Sequence, residues 1–166
     1  MKKNLSIIKA FSDNYIYAYE YSPRKVFIID ASDSLVVKDF LEEKNLKLTA
    51  ILSTHHHIDH VGGNQDLKNL TGCNVYGADE NRIPGLSELV LDDQMIKFDQ
   101  VYVKCIYTPG HTCTSVSYYI MPLNIEDTGM LFTGDTLFVG GCGRIFESTP
   151  KVLFKSLKNL ALMPSN

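Results

Sequence analysis

The order of the predicted elements indicates a layered α/β fold in which helices cover sheets. Three observations support this class: the chain opens with three short β-type runs, an amphipathic helical segment and further strands follow, and a polar, histidine-rich stretch comes directly after a buried strand. A chain of 166 residues has the length of one domain, because at this size about 70% of the unfolded surface becomes buried. We therefore expect residues 1–166 to form a single domain.

The first half of the chain predicts an antiparallel meander, a helix and a further strand. Turn residues at 12–14 and 22–24 separate the three opening strands. Apolar residues then recur at i, i+1, i+4 and i+5 behind a capping sequence at 32–34, which is typical of an amphipathic helix. The predicted elements are strands at 5–11, 15–21 and 25–29, a helix at 34–45 and a strand at 48–53.

The second half continues with short strands and ends in a helix. Pro150 suits the first turn of that last helix, and Leu153, Phe154 and Leu157 begin its apolar face. The predicted elements are a short helix at 63–70, strands at 74–76, 94–98, 101–107, 115–121 and 130–133, and a helix at 149–163.

Composition excludes several classes of function. The 16 Lys and Arg against 19 Asp and Glu give a net charge of −3 without a basic cluster, so nothing favours nucleic acid or an anionic membrane as a partner. No apolar run approaches the ~20 residues that cross a bilayer. The four cysteines are well separated, which indicates neither a zinc knuckle nor a disulfide framework. We therefore expect a cytoplasmic protein.

Four of the five histidines, His55, His56, His57 and His60, lie within six residues of one another. Side chains alternate in an extended segment, so His55, His57 and Asp59 are predicted to point one way, and His60 joins them where the chain turns towards the next helix. Imidazole and carboxylate ligands suit Zn²⁺, Fe²⁺ or Mn²⁺. The alternative is a solvated loop or a tag, which an interior pattern of this kind disfavours. His56 falls on the opposite side and is expected to be a packing or outer-shell residue.

Two further segments place a polar side chain directly after a strand. His111 follows a Pro-Gly turn in TPGHT, and Asp135 follows a glycine in FTGDT. Each alone is more typical of a hydrogen-bonded loop or a turn. Together with the histidine cluster they predict one site, because strand ends at one edge of a sheet can converge.

These motifs resemble the metallo-β-lactamase superfamily and, within it, the glyoxalase II family of hydroxyacylglutathione hydrolases. The resemblance runs over essentially the whole chain, through FSDNY, THHHIDH, TPGHT, FTGDTLF and GGCGR, and the last of these points to glyoxalase II. It implies an αββα sandwich that is incomplete at the C-terminus, because the helical substrate domain of that family has no counterpart here.

The resemblance also implies a reaction and a metal site. The reaction is hydrolysis of S-D-lactoylglutathione to D-lactate and glutathione through a metal-bound hydroxide, with Asp59 orienting the nucleophile. Two divalent metal ions, most simply zinc but also iron or manganese, are the implied cofactors. The implied ligands are His55, His57 and His111 for the first metal, Asp59 and His60 for the second, and Asp135 as the bridge between them.

For the substrate, the resemblance implies that Arg144 contacts the glutathione part, whereas Phe146 stands where some members have Tyr and lacks its hydroxyl. Glyoxalase II has a third histidine for the second metal in a later segment that this chain does not contain, so we expect that metal to be weakly bound or missing. Alternative functions are another hydrolase or a persulfide dioxygenase of the same fold, or an inactive metal-binding fragment.

Overall fold

The computed structural model describes residues 4–124 and 128–163. The chain divides into two compact units, Met1–Leu89 and Val90–Asn166, and each unit contains one β-sheet. The sequence predicts most elements within one or two residues of their observed bounds, so the predicted α/β class is confirmed.

The first unit has a six-stranded mixed sheet in the order β1-β2-β3-β4-β5-β6. The first three strands form the predicted antiparallel meander, whereas β3 to β6 run parallel. Parallel strands end at the same edge of a sheet, so the segments after β3, β4 and β5 meet there. The elements are β1 Leu5–Ala10, β2 Asn14–Ser22, β3 Lys25–Ile29, α1 Ser34–Lys44, β4 Lys47–Leu52, α2 Ile58–Val61, α3 Asn64–Thr71, β5 Asn74–Gly77 and β6 Glu88–Leu89.

The core of this unit lies between the sheet and its helices. Val37 and Leu41 of α1 and Leu67 of α3 are buried in one apolar cluster with residues of β1 to β5, including Val26 and Ile28. The apolar spacing that predicts an amphipathic α1 is thereby confirmed. The short α2 and β6 are not predicted, because two to four residues carry too little periodicity to be recognised.

The second unit has a four-stranded antiparallel sheet in the order β10-β9-β8-β7. Since β8 and β10 are both antiparallel to β9, they run in the same direction and end at the same edge. A single 3₁₀ turn, Gly134–Thr136, follows β10 and is not predicted from the sequence. The elements are β7 Met95–Phe98, β8 Val101–Tyr107, β9 Val116–Ile120, β10 Met130–Phe132 and α4 Pro150–Ala161.

Helix α4 supports the loop that follows β8. Thr149 caps the helix by accepting a hydrogen bond from the backbone of Val152, and Ser156 donates one of 2.7 Å to the carbonyl of Pro109. A Cβ at Gly110 would lie 2.7 Å from that of Leu153, so only glycine lets the helix approach this closely. Within the described ranges, no helix has both the length and the apolar composition needed to cross a membrane.

Candidate metal centre

In the first unit, the loop after β4 brings two of the predicted ligands together. His55 is buried, and its Nε2 lies 3.2 Å from Nδ1 of the half-buried His57. Two nitrogens bound to one tetrahedral Zn²⁺ at 2.0–2.1 Å would be ~3.3 Å apart. The observed separation of the two ring nitrogens therefore matches a shared metal ion.

A buried carboxylate, Asp30, organises this loop from the end of the neighbouring strand β3. Its two oxygens accept hydrogen bonds from the backbone N–H of Thr54 at 2.7 Å and from the Thr54 hydroxyl at 2.8 Å. Asp30 Oδ2 also accepts a 2.9 Å bond from Nδ1 of His60. The same negative charge acts on Tyr17, where burial first and Asp30 second raise the pKa of the phenol.

These contacts decide which ring nitrogen of each histidine carries the proton. Since the Thr54 hydroxyl gives its hydrogen to Asp30, its oxygen accepts from Nδ1 of His55 at 3.0 Å. The carboxylate of Asp30 likewise requires the hydrogen on Nδ1 of His60. In the neutral rings, Nε2 of His55 and of His60 then presents a lone pair, which is the form that binds metal.

Asp59 reaches the site by a route that the sequence pattern does not predict. The helical turn α2 begins at Ile58, so Asp59 lies on a helix instead of continuing the extended alternation of His55 and His57. Its Oδ2 is 3.5 Å from Nε2 of His60, and its side chain is half exposed. The alternation prediction was therefore wrong for the local conformation of Asp59, although the carboxylate does lie beside His60.

His56 has polar contacts of its own, with Arg82 and Asp79. Its Nε2 lies 3.0 Å from a guanidinium nitrogen of Arg82, and Arg82 in turn donates a 2.7 Å hydrogen bond to the buried Asp79. Asp79 also accepts from the backbone N–H groups of Asn81 and Arg82. These contacts make His56 a neighbour of the candidate ligands.

In the second unit, the ends of β8 and β10 bring together His111 and Asp135. His111 is buried, and its Nε2 lies 3.4 Å from Oδ2 of Asp135. Nδ1 of His111 donates a 2.7 Å hydrogen bond to the carbonyl oxygen of Arg144, so the remaining ring nitrogen is again Nε2. The ends of β8 and β10 thus place these two side chains next to each other within the second unit, and their convergence with the histidine cluster stays a prediction.

The glycine-rich loop after the 3₁₀ turn packs against this pair. The backbone N–H of Gly143 donates to the carbonyl of Asp135 at 2.9 Å, and a Cβ at this position would lie 2.9 Å from Nδ1 of His111. The exposed Arg144 guanidinium stands 4.9 Å above the ring of Phe146, and that ring packs edge-on against His111 at 5.2 Å. Both predicted substrate residues therefore lie beside a candidate ligand of their own unit.

Each unit thus presents nitrogen and oxygen atoms that suit a divalent metal ion. Within the first unit, Nε2 of His55 faces Nδ1 of His57, and within the second Nε2 of His111 faces a carboxylate oxygen. Lone pairs at such separations repel one another unless a cation or a proton lies between them. Neutral imidazoles whose other ring nitrogen is hydrogen-bonded, together with carboxylates, form a donor set that fits a divalent metal ion.

Two residues that hydrogen-bond within the site, Asp30 and Asn14, are not predicted from the sequence to do so. Asp30 follows the buried run of β3, and an acidic residue at the end of a buried parallel strand is the signal that could have identified it. Asn14 lies within the FSDNY motif, and its side chain donates hydrogen bonds to Asp59. Asn14 belongs to the quoted motif, but its hydrogen-bond partner Asp59 is 45 residues away in the chain, so no local pattern indicates the contact.

Comparison with known proteins identifies the family to which the chain is similar. The model of the metallo-beta-lactamase superfamily matches residues 11–164 and so extends over both units. The chain is 40% identical over 163 residues to a hydroxyacylglutathione hydrolase of Trichormus variabilis, covering 96% of this chain and 63% of that protein. A hydroxyacylglutathione hydrolase of Prochlorococcus marinus is 42% identical over 171 residues, with 99% and 67% covered. The chain spans about two thirds of the length of these curated relatives.

Among solved structures, the chain is similar to the crystal structure of ETHE1 from Myxococcus xanthus. The two share 28% sequence identity and superpose with a TM-score of 0.80, over 96% of this chain and 71% of that one. The backbone arrangement and the sequence comparison therefore agree on the fold.

Proposed function

The chain belongs to the metallo-beta-lactamase superfamily, and from that premise we propose that it acts as a metal-dependent thioester hydrolase that converts S-D-lactoylglutathione and water to D-lactate and glutathione. The curated relatives at about 40% identity, all named hydroxyacylglutathione hydrolase, support this substrate class. The main observation behind the proposed chemistry is that the protein hydrogen-bonds the Nδ1 atom of His55, His60 and His111. These contacts fix the tautomer of each ring and leave Nε2 to bind a metal ion.

The proposed ligands are those that the family pattern gives. They are His55, His57 and His111 for a first ion, Asp59 and His60 for a second, and Asp135 as the bridge. Zinc is the proposed metal, and the second ion is proposed to bind more weakly because it has fewer protein ligands. One family model spans residues 11–164, which supports one catalytic domain over residues 1–166.

The residues of the chain then have distinct roles. Divalent ions held by these residues would make hydroxide available at neutral pH, because they would lower the pKa of water from 15.7 towards about 7, and would polarise the thioester carbonyl. The half-exposed Asp59 carboxylate orients the attacking water by accepting its hydrogen bond. The thiol of glutathione has a pKa of about 8.5, so its thiolate leaves without a strong general acid.

Arg144 and Phe146 are the proposed substrate contacts. Glutathione carries two carboxylates, and the exposed guanidinium of Arg144 offers them a charged hydrogen-bond donor. The ring of Phe146 supports that guanidinium by a cation-π contact at 4.9 Å. A role in methylglyoxal detoxification and a cytoplasmic location belong to the same proposal, and the free thiols of all four cysteines support a reducing compartment.

The test combines metal content with turnover. We expect the zinc-loaded protein to consume S-D-lactoylglutathione, measured as the loss of ultraviolet absorbance of the thioester so that the exposed thiols of Cys113 and Cys142 do not interfere. His55→Ala should lose bound zinc and activity, whereas the matched control His56→Ala should keep both. A zinc-loaded protein that leaves the thioester intact contradicts the proposed reaction, and a His55→Ala variant that retains its zinc contradicts the ligand assignment.

A further inference from the structure

Asn14 connects the first hairpin of the chain to the segment that carries Asp59. Its side-chain nitrogen lies 2.9 Å from the backbone oxygen of Asp59 and 3.2 Å from Oδ2 of the same residue. Both partners are acceptors, so the amide must present its two N–H groups here and not its oxygen. One side chain therefore holds both the main chain and the carboxylate of Asp59.

The backbone around Asn14 is held more firmly than the backbone around Asp59. Asn14 pairs with Ala10 at the base of the β1–β2 hairpin, whose turn includes Phe11 in the left-handed region at φ 50°. Asp59, in contrast, lies on the four-residue helix α2, whose N-cap His57 makes no capping hydrogen bond with its side chain. Isolated turns of helix this short have little stability of their own. The hairpin is thus the stiffer support.

We infer that Asn14 is a positioning residue that fixes the rotamer of Asp59 for metal binding, an inference that rests on the proposed function. Because Oδ2 of Asp59 accepts from Asn14 and lies 3.5 Å from Nε2 of His60, the hydrogen bond sets the direction in which the carboxylate faces its histidine neighbour. Without it, the half-exposed side chain can rotate among its staggered rotamers, and the metal must restrict that motion on binding.

The expected effect is a selective loss of metal affinity. Hydrogen-bond partners of metal ligands typically change affinity by about 10- to 100-fold when they are removed. We expect Asn14→Ala to weaken, within this range, the zinc equivalent that depends on Asp59, and to leave the equivalent that depends on His55 unchanged. Asn14→Asp should weaken it further, because a carboxylate would face two acceptors without a hydrogen to donate.

Calorimetric titration of the metal-free chain, residues 1–166, with Zn²⁺ separates the outcomes. Ser12→Ala is the matched control, since its hydroxyl donates to Asp13 of the same turn and its replacement should leave both zinc affinities as they are. Asp59→Ala identifies the zinc equivalent to be followed. A general destabilisation would weaken both equivalents alike and lower the urea midpoint of the metal-free protein, whereas the positioning role requires a change in one equivalent.

The inference and the proposed function fail in different ways. If Asp59→Ala weakens one zinc equivalent and Asn14→Ala does not, the role of Asn14 is overturned while the ligand assignment stands. If Asp59→Ala changes neither equivalent, or if no second equivalent binds, the assignment of Asp59 as a ligand fails, and the inference fails with it.

Discussion

Asp30 combines an unusual backbone conformation with three accepted hydrogen bonds. Its φ of 55° lies in the left-handed region, where a residue other than glycine stores conformational strain. The strain is offset because the same geometry turns the carboxylate towards Thr54 and His60. A single buried acid thereby fixes the proton positions on two candidate ligands.

Removal of this carboxylate should destabilise the protein even without metal. Asp30→Ala leaves the buried backbone N–H of Thr54 and the partly buried Nδ1–H of His60 without their acceptor, at about 1–3 kcal/mol for each group. We expect a loss of about 3 kcal/mol in the free energy of unfolding, measured by urea titration of the metal-free protein. The control Asp39→Ala, at an exposed position of α1, should change it by less than about 0.5 kcal/mol. Equal effects of the two variants would contradict the role given to Asp30.

The buried thiol of Cys105 makes the free energy of unfolding decrease at alkaline pH. Burial, and secondarily the charge of Asp92, raise the pKa of this thiol to about 12. In the unfolded chain the thiol has its ordinary pKa of about 8.5–9, so its contribution to stability is fully present below about pH 9 and is lost as the pH rises towards about 12.

The wild-type protein should therefore lose about 1.4 kcal/mol more stability than Cys105→Ala between pH 8 and pH 10, because in this range only the unfolded thiol releases its proton. Urea titrations of both proteins at the two pH values measure the difference. The same loss in both proteins would show that another group, such as Tyr107 with its raised pKa, accounts for the alkaline behaviour.

The individual site residues were predictable to the extent that their side chains are chemically distinctive. The spacing of His55, His57 and His60 indicates a metal site because few other functions need three imidazoles so close together. Asp30 was not predicted, since an acidic residue after a strand is common and only the packed structure reveals its three donors. Hydrogen-bond partners distant in sequence leave no local pattern.

At the scale of elements, local chemistry determines where helix α1 begins. The carboxylate of Asp33 accepts from the backbone N–H of Leu35 at 2.9 Å and of Val36 at 3.3 Å, and Asn45 ends the helix in the left-handed conformation at φ 52°. Both signals are short-range, which is why the predicted range 34–45 agrees with the observed helix.

The cap of α1 gives a prediction for this element. Asp33→Ala should lower the free energy of unfolding by about 1 kcal/mol because two N–H groups lose their acceptor, whereas Asp33→Asn, which retains a capping oxygen, should lose much less. Thermal unfolding followed by far-ultraviolet circular dichroism measures both variants. If alanine and asparagine were equally destabilising, charge and not capping would be the cause.

Irregularities within elements explain where the sequence pattern was insufficient. The pairing of β3 with β4 skips Thr49, so that Leu48 and Ile51 belong to the same apolar cluster although they are three residues apart. The Thr49 hydroxyl donates to the carbonyl of Val26 at 3.1 Å, which gives the bulge a hydrogen-bonding partner. Strict alternation cannot predict such a bulge, because it depends on the neighbouring strand.

For the molecule as a whole, the α/β class followed from the order of the elements, but the sheet topology did not. The meander of β1 to β3 was predictable from two short turns, whereas the parallel pairing of β3 with β4 requires the crossover through α1. The division at Leu89 and Val90 has no signal in composition, since no linker-like segment precedes it. Long-range pairing, and not local propensity, determines these features.

Metal binding should stabilise the whole chain, because the proposed ligands come from both units. A ligand present at 100 times its dissociation constant adds about 2.7 kcal/mol to the free energy of unfolding if it binds only the folded state. We therefore expect the protein treated with a chelator to unfold at a lower temperature, and added Zn²⁺ to restore the original midpoint. Hydrogen exchange locates the effect: zinc should increase protection near His55 and His60 in the first unit and near His111 and Asp135 in the second. Protection confined to the first unit would exclude His111 and Asp135 from the proposed ligand set.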